Sequence, residues 1–197
     1  MKMLWIAGLT LLATACNNSK KNETTTNDTT SAVTDTTSHM MDTTAMNNTP
    51  MMTVDPSDTA FFSEAGAGGM EEVDLGNLAS TQSTNPRVQQ FGQMMVHDHS
   101  AANAELSGMA RQMSAPIPAA LPAKMQKDKD ELAKKQGKDF DKAYANMMVS
   151  DHVKDISLFE KTSKNTKNTT LKAWVDKTLP TLRMHLDSAK AVQKSVM

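Results

Sequence analysis

The sequence predicts an all-α protein, an antiparallel four-helix bundle built from two hairpins with a short extra helix in the crossover. Three observations predict it. No segment alternates with a period of two for long enough to demand a strand. Four long segments each carry an apolar seam at spacings of three and four. A nine-residue pattern, aromatic-x-x-Met-Met-Val-x-Asp-His, occupies residues 91–99 and again residues 144–152. That repeat implies two related helices, each with an Asp-His pair at the same level.

The chain of 197 residues opens with Lys2 and an apolar run over residues 3–12. A run of about ten residues is too short to span a bilayer core of roughly 30 Å, so residues 1–15 read as a secretory signal. The run ends in Leu11-Leu12-Ala13-Thr14-Ala15-Cys16. Small residues just before a cysteine resemble the lipobox of bacterial lipoproteins, although leucine usually stands where Ala13 stands here. The resemblance implies cleavage before Cys16, a diacylglycerol on its thiol and an acyl group on its amine. Several acyl chains on one residue would anchor the protein to a membrane far more firmly than one. Cys16 is also the only cysteine, which excludes disulfides within the chain and thiolate metal clusters.

Residues 16–54 are rich in Thr, Asn, Ser and Asp and nearly lack core-forming side chains, so a disordered tether is expected. His39-Met40-Met41, Met46 and Met51-Met52 punctuate it. Thioethers are soft ligands that favour Cu(I). Compositional drift in a spacer accounts for the same residues, because no regular Met-x-x-Met repeat is present. A net charge of −1, with no basic stripe to neutralise phosphates, argues against nucleic acid as a partner.

Residues 55–197 are enough for one domain with a real core. Asp55-Pro56 and Asn85-Pro86 each read as an N-cap followed by proline at the first helical position. The first helix should run to about residue 81 and the second from 86 to about 113. Pro116, Pro118 and Pro122 then break the chain. A short charged helix is expected over about residues 123–136, stopped by Gly137. The fourth helix should cover about residues 138–163. After a polar turn the fifth should run to about residue 194.

Each seam is apolar or small except for one strongly polar residue near its middle: Glu72, His99, His152 and His185. Glu72 and His99 lie at heights within one helical turn of each other, counted from their hairpin loop. His152 and His185 differ by roughly 7 Å. Pro180 offers a place for the fifth helix to kink. The pattern therefore predicts that the four side chains converge in one layer of the core.

Four separated motifs carry a family resemblance. They are the repeated Met-Met-Val-x-Asp-His, the stretch Glu72-Val73-Asp74-Leu75-Gly76, the spacing Gly137-x-x-Phe140-Asp141-x-x-Tyr144, and Leu179-Pro180-x-Leu182-x-x-His185-Leu186. In this order, over about residues 57–192, they resemble an uncharacterised domain family of bacterial envelope proteins with a ferritin-like helical fold. Its recurring polar positions correspond to Glu72, Asp98, His99, Asp151, His152 and His185. The resemblance implies a ferritin-like bundle on a lipoprotein tether, in the envelope and at the outer membrane, facing the periplasm or the exterior. It supplies no activity and no protein partner.

Two readings of the polar layer stay open. In the first, the protein is a non-enzymatic envelope lipoprotein. Its buried His/Glu layer is then a hydrogen-bond network that fixes helix register, and the bundle serves as a binding or stress-related module. In the alternative, Glu72, His99, His152 and His185 hold one transition-metal ion (Zn, Fe, Cu or Mn) for sequestration or redox protection. Asp98 and Asp151 each precede a histidine and point about 100° away from it. They are placed to steady a histidine of another helix as outer hydrogen-bond acceptors. His97 should face solvent, and the paired methionines should fill the core. No Glu-x-x-His lies at the layer, which argues against two-iron ferroxidase chemistry. No Gly-x-Ser-x-Gly turn and no phosphate-binding loop is present either.

Overall fold

A computed structural model describes residues 54–197. The signal, Cys16 and the methionine clusters of the tether lie outside the described residues. Five helices form the domain: α1 (Pro56–Gln82), α2 (Pro86–Met113), α3 (Ala123–Ala133), α4 (Gly137–Asn165) and α5 (Thr169–Val196). No strand occurs among the described residues.

The helix starts follow the capping chemistry. The Asp55 carboxylate accepts from Ser57 N at 2.8 Å and from its hydroxyl at 2.6 Å, and Asn85 accepts from Arg87 N at 3.0 Å. Asn168 caps α5 by accepting from Leu171 N at 3.0 Å. One boundary differs from expectation. The short helix ends at Ala133, and Gly137 opens α4 instead of stopping α3. Gly137 has φ +53°, and this left-handed backbone lets three residues turn the chain directly into the next helix. α5 runs as one helix through Pro180.

The core divides into two apolar clusters, and their membership fixes the topology. One joins the end of α1 (Leu75, Ala79), the start of α2 (Phe91, Met95), the start of α4 (Phe140, Tyr144, Met148) and the end of α5 (Ala189, Val192). The other joins the start of α1 (Phe61, Phe62), the end of α2 (Leu106, Ala110), Phe159 of α4 and the start of α5 (Leu171, Trp174, Val175). Helix α4 therefore begins where α1 ends. Each neighbouring pair (α1 with α2, α4 with α5, α1 with α4, α2 with α5) packs antiparallel. α2 and α4 run parallel across the diagonal, joined by the crossover that carries α3 over α1 and α4. This is the ferritin-like arrangement with one long connection.

The sequence repeat has a physical role in this topology. Phe91 and Tyr144 meet edge to face at 6.0 Å, and His99 and His152 meet at 5.5 Å. Equivalent residues of the two copies thus face each other across the diagonal. Polar ties pin the two ends of the bundle: Ser83 Oγ donates to Asp141 at 2.6 Å, and Thr166 Oγ1 donates to Asp58 at 2.9 Å.

Between α1 and α2 the backbones touch at Gly76 and Gly92. A Cβ on Gly76 would lie 2.7 Å from the Gly92 carbonyl oxygen, and a backbone atom cannot swing aside. Gly76→Ala is expected to cost about 1–3 kcal/mol by forcing the hairpin apart. Urea denaturation would read this as a lower midpoint at unchanged slope. No helix among the described residues is long and apolar enough to cross a membrane.

Candidate metal centre

The four polar seam residues do converge, and they do so between the two apolar clusters. Glu72, His99, His152 and His185 are all buried, at 2%, 5%, 0% and 1% exposure. The three imidazoles form a nearly equilateral triangle. Ring centroids are 5.5 Å apart for His99 and His152, 5.1 Å for His99 and His185, and 5.4 Å for His152 and His185. One ring nitrogen from each lies within 4.8 Å of the other two.

Each ring is held from outside through one nitrogen. Glu72 Oε2 sits 2.8 Å from His99 Nδ1. His152 Nδ1 lies 2.9 Å from the carbonyl of Met148, one turn back on its own helix, and 3.3 Å from Glu72 Oε1. His185 Nε2 lies 2.9 Å from Asp98 Oδ2. A carbonyl or carboxylate accepts, so these contacts put the proton on Nδ1 of His99 and His152 and on Nε2 of His185. The opposite nitrogens, His99 Nε2, His152 Nε2 and His185 Nδ1, are fully buried and have no hydrogen-bond partner among the described residues. Three neighbouring rings thus each bury a lone pair with nothing to satisfy it.

Electrostatics keeps them unprotonated. Burial pushes His99 down to about 4, against weaker opposing pulls from Asp155 and Asp98. Burial likewise lowers His152 and His185. The carboxyls behave oppositely. Burial raises Glu72 to about 7, countered by His152 and by a hydrogen bond with Asp155. Asp155 is raised well above the carboxylate range by burial and then by the charge of Glu72. The pair therefore holds on to protons that exposed carboxyls would have lost by neutral pH.

These shifts set a pH dependence for the metal-free fold. The unfolded chain binds more protons on the histidines below about pH 6.5, down to about 4 for His99, so their contribution to stability falls as pH drops through that window. The folded chain binds more on Glu71, Glu72 and Asp155, so their contribution is lost as pH rises, through about 7 for Glu71 and Glu72. Burial also raises Glu71 to about 7, so three carboxyls oppose three imidazoles on the acid side. Denaturation midpoints measured from about pH 4.5 to 8.5 should vary little up to about 6.5, where the opposing shifts offset, and fall from there through about 7. Bound metal should raise them more at the higher pH values, where protons do not compete for the imidazoles.

The chain matches the family described as "Domain of unknown function (DUF4142)" over residues 41–192. It belongs to that family. No curated protein matches it. Among solved structures, the DUF4142 chain is similar to "CopM in the Cu(II)-bound form", with a TM-score of 0.61 and 17% identity over 71% of this chain and 97% of that one. The same protein in the Cu(I)-bound form gives 0.59 and 15% over 70% and 96%. A "DUF305 fragment from Deinococcus radiodurans" gives 0.64 and 9% over 72% and 98%. At these identities the likeness is one of fold.

Within the DUF4142 bundle the candidate residues divide by position. Asp98 reaches across to His185 of another helix. Glu72 contacts His99 and His152 on the nitrogens that face away from the triangle's unsatisfied ones. Asp151 is not brought to any histidine; it pairs with Lys154 at 2.8 Å. His97 is 85% exposed and rests against Asp98. Met95 and Met148 fill the core, with Met94 and Met147 packed against it. Asp155, absent from the seam and from the repeated motif, is a further residue at the site. It stands three residues after His152 in a run of charged side chains that reads as a solvated face.

Two cavities flank the layer. A small one of about 40 Å³ is lined by His99, His185, Asp98, Asn103 and Thr178, among others, and has room for about one water. A cleft of about 940 Å³ opens between α1, α3 and α4 and reaches Glu72 and Asp155 from the other side.

Proposed function

We propose that the bundle binds one transition-metal ion through His99 Nε2, His152 Nε2 and His185 Nδ1, as the working domain of an envelope lipoprotein. The three buried, unpartnered ring nitrogens carry this reading. A purely structural network would use both nitrogens of each ring, because an unsatisfied buried polar atom costs about 1–3 kcal/mol. Here three are left open toward one another, and a cation is what three converging lone pairs satisfy together. Glu72 and Asp98 act as positioning residues that orient the rings and raise their basicity.

Neutral imidazoles suit copper, zinc or iron, and no thioether joins the set. Copper is the first candidate, since CopM, a protein of similar fold, is described in Cu(II)- and Cu(I)-bound forms. The histidines hold the ion, the flanking clusters exclude water from it, and the carboxylates balance its charge. Bound copper would supply one-electron chemistry, and holding it away from solvent amounts to sequestration or redox protection. The binding role needs no catalytic residue. Lipidation of Cys16 would keep the domain on a membrane surface, with the tether setting its reach and its methionines as accessory Cu(I) ligands.

The test uses the mature chain (residues 16–197) with Cys16→Ser, loaded separately with Cu(II) and Zn(II) and freed of loose metal. One retained equivalent is expected, with a higher melting temperature that chelator reverses. A protein that retains no metal, and whose melt ignores both metal and chelator, would leave the layer as architecture.

A further inference from the structure

We infer that the cleft between α1, α3 and α4 is the route by which a hydrated metal cation reaches the histidines, passing Glu71 and Asp151 before the Glu72–Asp155 pair. The inference rests on the metal-binding reading above.

Charge and burial point to a cation. Seven carboxylates and three lysines line the cleft. Two of those lysines are already matched, Lys154 to Asp151 at 2.8 Å and Lys124 to Asp128 at 2.6 Å. Glu71 is only 6% exposed, lines the cleft, and makes no hydrogen bond or ion pair among the described residues. Glu72 Oε1 is fully buried, with His152 Nδ1 no nearer than 3.3 Å. A buried carboxylate without a partner, as at Glu71, is costly in an empty bundle, and a passing cation relieves that cost.

Connectivity points to a route. Among the described residues, Glu72 and Asp155 alone line both the cleft and the small cavity beside His99 and His185. They form the wall between the outside and the ligand nitrogens. Gly68 permits this wall, since a Cβ there would lie 3.3 Å from Asp155 Oδ1.

Size decides which side an ion enters. A divalent ion with six waters, at about 30 Å³ each, needs roughly 180 Å³. The cleft of about 940 Å³ admits it, and the cavity of about 40 Å³ does not. Carboxylate oxygens along the cleft can replace waters stepwise before the imidazoles take the ion.

Stopped-flow uptake of Cu(II) by the mature Cys16→Ser chain tests this, read by quenching of Trp174, which lines the small cavity. Glu71→Gln and Asp151→Asn are expected to slow uptake by about tenfold or more at low salt. Stoichiometry and equilibrium affinity should hold, so release slows by the same factor. Asp151 is surface-paired, which keeps its variant folded. Wild-type rates in both variants would overturn the route, as would a loss of affinity without a change in uptake rate. A second tightly held equivalent that disappears in Glu71→Gln would mark a resident site instead. If the parent chain takes up no Cu(II), it is the metal reading that fails. Uptake with unaltered variant rates removes only the route.

Discussion

Replacing His152 by alanine is expected to abolish metal retention and all of the stability that metal confers. His152 is fully buried, faces both other imidazoles at 5.4–5.5 Å, and has its Nδ1 committed to the Met148 carbonyl. Two remaining nitrogens cannot close a site. With free metal about a thousandfold above Kd, the parent gains about 4 kcal/mol, roughly 10–15 °C in melting temperature for a domain of this size. The variant should gain nothing. Its metal-free melt should move much less, because the lost packing is partly offset by removal of an unsatisfied nitrogen. His97→Ala, at an exposed position, is the control that should keep metal. A His152→Ala protein that melts far below the metal-free parent, with the parent indifferent to metal, would instead mark the layer as a structural network.

Glu72→Gln is expected to weaken metal affinity by about 10–100-fold while leaving the stoichiometry at one. The carboxylate sits 2.8 Å from His99 Nδ1 and 3.3 Å from His152 Nδ1, so it acts on the metal through two rings. Glutamine keeps the volume and an acceptor oxygen but loses the charge that balances a cation in a buried site. Equilibrium competition against a chelator of known affinity measures this. Loss of the equivalent altogether would make Glu72 a direct ligand. Unchanged affinity would remove it from the site.

The bundle was legible because its determinants are local and repeated. Asp55-Pro56 and Asn85-Pro86 mark helix starts by capping chemistry alone, and seams broken once each by Glu72, His99, His152 and His185 identify the layer. The boundary at Gly137 was misread because a glycine signals a positive φ without saying which helix it serves. Asp155 and Glu71 were not found. Each is a charged residue among charged neighbours, and only the packing of the helices sets it beside the cleft between α1, α3 and α4. The division of labour between Glu72 and the histidines was also beyond the sequence. It depends on which ring nitrogen each neighbour occupies, and therefore on rotamer and helix rotation. The close approach of Gly76 to Gly92 is likewise set by how two helices cross.

The most direct measurement is a crystal structure of the copper-loaded protein, with anomalous scattering at the copper edge to identify the ion. One ion is predicted between α2, α4 and α5, at about 2.0–2.1 Å from His99 Nε2, His152 Nε2 and His185 Nδ1, with Glu72 and Asp98 on the far nitrogens. An empty triangle in crystals that hold copper elsewhere, or an ion bound with the three imidazoles turned away, would contradict the proposal.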